Sequence, residues 1–321
     1  MMREVLETTK EVAEKSLQVQ IDQPALDHFS GKLLGEEIEV PPWNQLYHFC
    51  GGNEEMVSYL LVLDSINFCF WPSSGKRKWE IEYQSKKLSG YYALAASLKQ
   101  AVETGIPITR AEYLAEISLS ELKPLLSGRG ELQLLEQRIE SLNELGRVLL
   151  EDYGGEAHRL VSSAGKSVVE LVRLLTEKLL LFRDVAEYRG NKVFFYKRAQ
   201  IFAADLYGAF QGGNWGSFID IDKLTAFADY KLPQVLRHLG ILRYEQSLAQ
   251  KVDQRTILNP GSPEEVEIRA NTIWAVELIR QELNRMGRGL RAFEIDWILW
   301  NLGRQVGFKI KPYHRTVTIF Y

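Results

Sequence analysis

Lys197 and Asp229 are the side chains of this chain whose types and surroundings best suit catalysis. Lys197 follows three aromatic residues, Asp229 follows Phe227 and Ala228, and an apolar helical pattern begins after each of them. We therefore expect both side chains at helix starts rather than on a solvated face. Burying either charge costs several kcal/mol, so a buried Lys and Asp near one another would destabilise the fold. A protein is expected to keep such a pair only where its function uses it. Hydrolysis of an N-glycosidic bond would need such a pair.

Ordinary structural roles compete with this interpretation. Asp229 precedes a helix that has Pro233 in its first turn, which is a common helix start, so the carboxylate could be a cap. Lys197 could extend its ammonium to solvent while its stem packs on apolar neighbours. Asp205 lies two turns beyond Lys197 and could pair with a cation. Asp296 lies among large apolar residues and is either exposed by the helical period or buried and paired.

A second group of residues would suit a flat heterocycle. His48 lies between two aromatic residues, and Asn67 precedes Phe68 in an aromatic run that includes Trp71. Rings of this kind stack on a heterocycle, while an imidazole and an amide hydrogen-bond to its edge. A packed β core with Asn67 in a turn is the alternative, and spacing alone favours it.

Several familiar signatures are missing from the sequence. There is no P-loop, no dinucleotide-binding glycine motif, no nucleophile elbow and no zinc-ligand spacing. The glycine loop at 212–216 is not followed by the Lys-Ser or Lys-Thr of a phosphate-binding loop. Cys50 and Cys69 are the only cysteines and do not suggest a disulfide scaffold. We therefore expect no cofactor and no bound metal.

Composition narrows the class of protein further. The 321 residues can bury a large core, and 45% hydrophobic with 25% charged residues is typical of a globular protein. The 39 basic and 42 acidic residues nearly cancel, which argues against duplex nucleic acid as a partner but allows a single nucleotide. A polar N-terminus and the lack of a long apolar run predict a cytoplasmic protein without a membrane span.

Periodicity predicts a mostly α fold with a small antiparallel β element. We expect one globular unit over residues 1–321, in which 1–89 form an N-terminal helix plus the β element and 90–321 form a helical core with a terminal extended segment. The predicted elements are a helix over 1–16, an extended piece over 17–21, a helix from Pro24, a β region over 56–63 and 66–71, a hairpin with its turn at 73–76 and a strand at 78–83, helices over 90–182, two short strands around the turn at 188–193, helices beginning at Lys197 and near Asp229, helices over 266–286 and 293–302, and an extended segment over 308–321.

Short pieces spread along the chain together resemble the queuosine salvage protein family, the queuosine 5′-monophosphate N-glycosidases. The matching pieces are Tyr47-His48-Phe49, Gly51-Gly52, Asn67-Phe68, Phe70-Trp71-Pro72, Ser89-Gly90-Tyr91-Tyr92-Ala93-Leu94, Phe182-Arg183-Asp184, Tyr196-Lys197-Arg198-Ala199-Gln200, Ala204-Asp205-Leu206, the stretch 225–234 and Glu267-Ile268-Arg269-Ala270. The resemblance implies a core similar to helix-hairpin-helix DNA glycosylases and a cytosolic enzyme that releases queuine from its nucleotide. The segment 232–242 lacks the glycine hairpin of DNA-binding members, which agrees with a mononucleotide substrate.

The resemblance leads to a hypothesis for the reaction. Asp229 would stabilise the oxocarbenium-like state and steer a water molecule onto the anomeric carbon. Lys197 would orient the sugar and Asp229, or act as a Schiff-base nucleophile; we favour orientation. Arg198 and Lys231 are the nearest cations for a 5′-phosphate.

The same hypothesis assigns the base. Queuine would stack among Phe68, Trp71 and Phe227, while His48, Asn67 and Asp296 read its polar edge. We expect a monomer. Two other classes stay open at this point: a non-catalytic helical binding module, and a base-excision DNA glycosylase, which would require a basic face.

Overall fold

The structure is a computed structural model that describes residues 1–36, 38–304 and 311–321. Within these ranges the chain is mostly helical and has six short strands. The helices are α1 (Met2–Lys15), α2 (Gln23–Gly35), α3 (Asn53–Ser65), α4 (Tyr91–Glu103), α5 (Ala111–Glu116), α6 (Leu119–Leu125), α7 (Leu135–Tyr153), α8 (Ala157–Ser163), α9 (Val168–Lys178), α10 (Lys197–Ala209), α11 (Lys231–His238), α12 (Gln246–Asp253), α13 (Pro263–Arg285) and α14 (Ala292–Leu302); the strands are β1 (Val19–Ile21), β2 (Glu80–Tyr83), β3 (Lys86–Ser89), β4 (Val185–Tyr188), β5 (Asn191–Phe194) and β6 (Leu242–Tyr244).

The predicted class, mostly α with a small antiparallel β element, is confirmed. The likeness of the helical core to helix-hairpin-helix glycosylases stays a prediction. None of the helices in the described ranges has the length and apolar character needed to span a membrane.

The chain forms two compact units, each built from separate segments. Unit 1 comprises Met1–Pro42, Asp184–Gln200 and Ile221–Val317, and unit 2 comprises Trp43–Arg183, Ile201–Asp220 and Thr318–Tyr321. This division follows contacts, whereas the predicted boundary between residues 89 and 90 follows sequence patterns and stays a prediction.

Helix α13 is the central element of unit 1. It begins at the cap Ser262, whose side chain accepts from the N–H of Glu265, and every residue from 265 to 273 is buried. Helices α1, α2 and α14 pack against it. The carboxylate of Glu267 accepts the N–H groups of Leu17, Gln18 and Val19, so one buried side chain fixes the connection between α1 and β1.

Two antiparallel strand pairs complete unit 1. Strands β4 and β5 form the hairpin predicted around residues 188–193, with Tyr188 paired to Asn191. Strand β1 pairs with β6, with Val19 opposite Tyr244. Strand β6 was not predicted, because its partner lies more than two hundred residues away and no turn signal joins the two strands.

The predicted β region over 56–63 is wrong, because Asn53–Ser65 is helix α3 in unit 2. All residues from 59 to 65 are buried, so the helix has no polar face to reveal its period. Residues 66–71 form no strand either. The guanidinium of Arg138 donates to the carbonyls of Ile66 and Phe68, which satisfies backbone groups that a strand would have paired.

The strand partner predicted for this hairpin is also wrong. Strand β2 lies where a strand was expected, but it pairs with β3 after it rather than with a segment before the 73–76 turn. Gln84 and Ser85 form the connection, with φ of 48° and 61°. Two successive positive φ values suit a tight hairpin whose twist matches its strands. Gln-Ser is a weak signal for such a turn, which explains the error.

The end of the chain agrees only in part with the predicted extended segment. Residues 308–310 lie outside the described residues. From 311 to 321 the described chain has no helix or strand, and Arg315 forms an isolated bridge with Ile257.

Gly146 controls the packing of α7 against α5 within unit 2. A Cβ at this position would overlap the backbone of Ala111 and Ala115. We expect Gly146→Ala to lower the free energy of unfolding by about 1–3 kcal/mol, because the two helices would have to separate. A Cβ at Gly31, on the exposed surface of α2, would meet no atom within 4 Å, so Gly31→Ala should stabilise by about 0.5–1 kcal/mol. Denaturant unfolding followed by circular dichroism measures both effects, and equal midpoints would contradict this account.

Candidate active site

Lys197 is the first residue of helix α10, so it lies at a helix start as predicted, and it belongs to unit 1. The backbone carbonyl of Asp184 accepts the N–H groups of Phe195 and Tyr196, and its Oδ2 accepts the N–H of Lys197 at 3.3 Å. Asp184 therefore satisfies donors at the helix N-terminus that have no partner inside the helix. The side chain of Lys197 is 4% exposed. The alternative of an ammonium extended into solvent is therefore wrong.

A buried ion pair connects this helix start to the residue before Asp229. Arg269 donates from Nη1 and Nη2 to the two carboxylate oxygens of Asp184, at 2.9 and 2.5 Å. Its Nε donates to the carbonyl oxygen of Ala228 at 3.0 Å. The guanidinium also lies 3.9 Å from the ring centre of Phe195. One side chain thus holds both Asp184 and the backbone next to Asp229.

Two further side chains hold the loop that carries Asp229. Gln200, on the first turn of α10, accepts the N–H of Thr225 through Oε1 at 2.9 Å. Asp296, on α14, accepts the N–H of Phe227 through Oδ2 at 2.7 Å. Together with Arg269 on α13, these side chains hold the backbone at Thr225, Phe227 and Ala228, in the loop that leads to Asp229.

Asp229 has the capping role that the sequence left open, and the cap uses only one of its two carboxylate oxygens. Its Oδ1 accepts the N–H groups of Lys231 and Leu232 at 2.7 and 2.9 Å, so it caps the first turn of α11. Its Oδ2 accepts no hydrogen bond from any residue that the structure describes. The side chain is half-buried. One oxygen is occupied by the fold, and the other is available to a reacting group.

The two carboxyl groups of this site differ in how strongly they resist ionisation. Burial raises the pKa of Asp229, while the charge of Lys197 and the two capping N–H groups oppose that rise. Burial raises the pKa of Asp296 well above its usual range, and the nearby charge of Asp229 raises it further. Asp229 is therefore the first of the two to ionise, and its charge helps to keep Asp296 protonated.

The remaining predicted site residues of unit 1 are Phe227, Arg198 and Lys231. Phe227 and Arg198 are buried. Lys231 is half-buried, and its Nζ donates to Oε1 of Gln234 at 2.9 Å. The structure thus brings Phe227 and Lys231 into the loop and helix start that hold Asp229, and Arg198 directly follows Lys197.

His48 lies in unit 2, within a chain of buried polar groups. Its Nδ1 is 2.5 Å from the carbonyl oxygen of Asn44, and its Nε2 is 2.9 Å from the hydroxyl of Tyr91. Tyr91 donates to Oδ2 of Asp205 at 2.7 Å, so a tyrosine hydroxyl meets the carboxylate for which a cation was considered. Burial lowers the pKa of His48 to about 4.

The other predicted base-binding residues also lie in unit 2. Asn67 donates to Oδ1 of Asp64 at 3.3 Å. Phe68 and Trp71 are almost completely buried, and the guanidinium of Arg138 lies 4.3 Å from the ring centre of Phe68. The base-binding roles of His48, Asn67, Phe68 and Trp71 stay predictions.

No role was predicted for Asp184, Arg269 or Gln200. All three occur in the pieces that carry the family resemblance, but their types gave no hint that they would hold the Asp229 loop. Their partners are far away in sequence, so only the folded chain reveals the network. Among the described residues, no group of three or more His, Cys, Asp or Glu side chains is arranged to hold a metal ion.

Comparison with known proteins shows that the chain belongs to the queuosine salvage protein family, which matches residues 47–321. Among similar proteins is one from Sphaerobacter thermophilus named queuosine 5′-phosphate N-glycosylase/hydrolase, 48% identical over 99% of this chain and 97% of its own length. Proteins of the same name from Bos taurus and Dictyostelium discoideum are 35% and 38% identical, each over at least 98% of both chains.

The raised pKa of Asp296 predicts a pH-dependent gain in stability for Asp296→Asn. In the unfolded chain the carboxyl group titrates near its ordinary value of 3.8, and in the folded chain at a higher pH. Between these values the folded state binds the extra proton, so the wild type loses stability as the pH rises through them. The amide stays uncharged and still offers an oxygen to Phe227. The advantage of the variant should therefore grow with pH, by at most about 1.4 kcal/mol per pH unit.

Denaturant unfolding of both proteins from pH 3.5 to 8 measures this difference. A constant difference across the range would mean that Asp296 titrates normally and is ionised in the folded protein.

Proposed function

We propose that this protein hydrolyses the N-glycosidic bond of queuosine 5′-phosphate and releases queuine for salvage into tRNA modification. Family membership and the name shared by its relatives support this activity. The observation that supports a catalytic role for Asp229 is that the fold uses only one of its carboxylate oxygens. Oδ1 caps α11, while Oδ2 accepts no hydrogen bond from the described residues. The enzyme is a hydrolase acting on N-glycosyl bonds.

Asp229 stabilises the charge that develops as the bond breaks. The ribose acquires oxocarbenium character, and a carboxylate held beside the anomeric carbon lowers the energy of that state. The capping N–H groups and Lys197 favour the ionised carboxylate that this role needs. The same carboxylate orients a water molecule, which adds to the anomeric carbon and gives up a proton to Asp229. Queuine leaves with the electron pair of the broken C–N bond and takes up a proton at its ring nitrogen.

Lys197 acts as a charged orienting group rather than as a nucleophile. A Schiff base would require a neutral amine, but the charge of Lys197 interacts favourably with the ionised carboxylate of Asp229. This interaction favours the ammonium form. The ammonium in turn holds Asp229 ionised and binds sugar oxygens.

Asp296 and Phe227 contribute to recognition of the base. A protonated Asp296 can donate a hydrogen bond from the oxygen that Phe227 does not occupy, which suits a carbonyl or ring nitrogen on a purine-like edge. The ring of Phe227 offers a stacking face. Lys231 and Arg198 supply positive charge for the 5′-phosphate.

The wider setting is also part of the proposal. The enzyme works as a monomer in the cytoplasm and does not bind duplex nucleic acid. A binding module would turn over no nucleotide, and a DNA glycosylase would bind duplex DNA with steep salt dependence.

Asp229→Asn should abolish turnover while the fold and most of the binding remain. The amide oxygen can still accept the capping N–H groups, but it carries no charge to stabilise the transition state. We expect kcat to fall by at least about 10³-fold and the Kd for the nucleotide to change less than about tenfold. Chromatography of released queuine and calorimetric titration of the variant measure the two quantities.

Asp22→Asn is the matched control. Asp22 caps α2 in the same unit, accepting the N–H of Ala25 at 2.9 Å, and no reacting role is assigned to it. If the two variants keep similar activity, Asp229 is only a helix cap and the catalytic assignment is wrong.

Lys231→Gln should weaken binding of the nucleotide specifically. Losing a charge-assisted contact to phosphate costs about 1.5–3 kcal/mol, so KM for queuosine 5′-phosphate should rise about 10- to 100-fold. KM for the nucleoside queuosine should stay within about threefold. Lys223→Gln, at an exposed lysine paired with Asp222, provides the control. Equal effects on nucleotide and nucleoside would remove Lys231 from the phosphate site.

A further inference from the structure

Asp184 and Arg269 form a buried ion pair to which the proposed chemistry assigns no part. Each residue is 2% exposed. The two hydrogen bonds between them are joined by a weaker contact of 3.5 Å from Arg269 to Glu265. The pair belongs wholly to unit 1, and neither member carries the reacting oxygen or the ammonium.

Stability alone does not explain such a pair. Removing two charges from water costs several kcal/mol per ion, and apolar side chains of similar volume often stabilise a protein as well or better. The pair at Arg237 and Asp253 in the same unit shows the more common arrangement, because Asp253 is 49% exposed. The two parallel hydrogen bonds between Arg269 and Asp184, here called the fork, are fully buried. This burial suggests that the geometry of the pair serves a purpose other than stability.

The hydrogen bonds of the pair show what that use is. Nε of Arg269 fixes the carbonyl of Ala228, which adjoins Asp229. Oδ2 of Asp184 fixes the N–H of Lys197. Two fork hydrogen bonds join these anchors rigidly. The backbone of Lys197 is thus held by Asp184, and the backbone next to Asp229 is held by Arg269, at the two ends of one ion pair.

We propose that Asp184 and Arg269 are positioning residues that set the separation between Lys197 and Asp229. This inference rests on the proposed function, because it concerns the spacing of the proposed catalytic groups. Neither residue touches substrate. They act by holding two backbone segments that belong to different parts of the sequence.

Arginine is required because only its side chain provides all the needed donors in one plane. The guanidinium supplies the two fork donors and Nε at fixed angles. A lysine at the same position would keep the positive charge but could not hold Asp184 by a fork and Ala228 at once. Arg269→Lys therefore separates geometry from charge.

Arg269→Lys should lower kcat about 10- to 100-fold and change KM less than about threefold. A displacement near 1 Å between catalytic groups is enough for a loss of this size. A merely destabilised protein would instead show a lower thermal midpoint with normal kcat per folded molecule. Rates are therefore divided by the folded fraction measured by circular dichroism at the assay temperature.

The pH profile supplies a second readout that a structural role would not move. The groups that act on Asp229 are Lys197 from α10, Lys231 and the N-terminus of α11, and Asp296 from α14. A greater distance to Lys197 weakens the interaction that lowers the pKa of Asp229, so that pKa rises. The acid limb of kcat should then move to higher pH in the variant.

Arg237→Lys is the matched control, since it removes a bidentate pair with the more exposed Asp253 and does not involve Lys197 or Ala228. Asp184→Glu, which keeps the charge but displaces the carboxylate, should reproduce the kcat loss. An inactive wild type would overturn the proposed function. An active wild type with equal kcat in Arg269→Lys and Arg237→Lys, or a change confined to KM, would overturn the positioning role alone, as would loss of the folded state in both Arg269→Lys and Asp184→Glu.

Discussion

The bidentate ion pair between Arg269 and Asp184 is the interaction on which the geometry around Lys197 and Asp229 depends. A buried guanidinium must place its donors on acceptors, because each unsatisfied charge in a dry interior costs several kcal/mol. Here those acceptors are the carboxylate that caps α10 and the carbonyl that precedes Asp229. Because Arg269 needs these acceptors, it fixes the start of α10 and the loop that leads to the start of α11.

Two carboxyl groups in this loop region differ in how far burial raises their pKa, because their surroundings differ. Asp229 receives two backbone N–H groups and the field of Lys197, all of which favour its anion. Asp296 receives one N–H, lies deeper and feels the negative charge of Asp229. Such a pair provides an anion to stabilise positive charge and a neutral acid to donate a hydrogen bond. The two roles proposed for Asp229 and Asp296 therefore agree with the surroundings that the fold gives them.

Sequence patterns predicted the parts of the site that local chemistry determines. Lys197 and Asp229 were placed at helix starts, and the β4–β5 hairpin before α10 was expected, because caps, turns and apolar periods are local signals. Helix α3 was mistaken for strands because burial on all sides removes the period. The contacts of Arg269 and the pairing of β1 with β6 could not be predicted, since they join residues remote in sequence. A family resemblance named some of these residues without revealing their contacts.

The capping role of Asp229 strengthens the argument for its chemical role rather than weakening it. A carboxylate that had to rotate into place would lose part of its stabilising effect to reorganisation, whereas one fixed by backbone donors is ready before the reaction begins. The helix start supplies those donors and partly offsets the burial that raises the pKa of Asp229. Because only Oδ1 is needed for the cap, the same side chain can stabilise the helix and leave Oδ2 for the contact that we propose with the anomeric carbon.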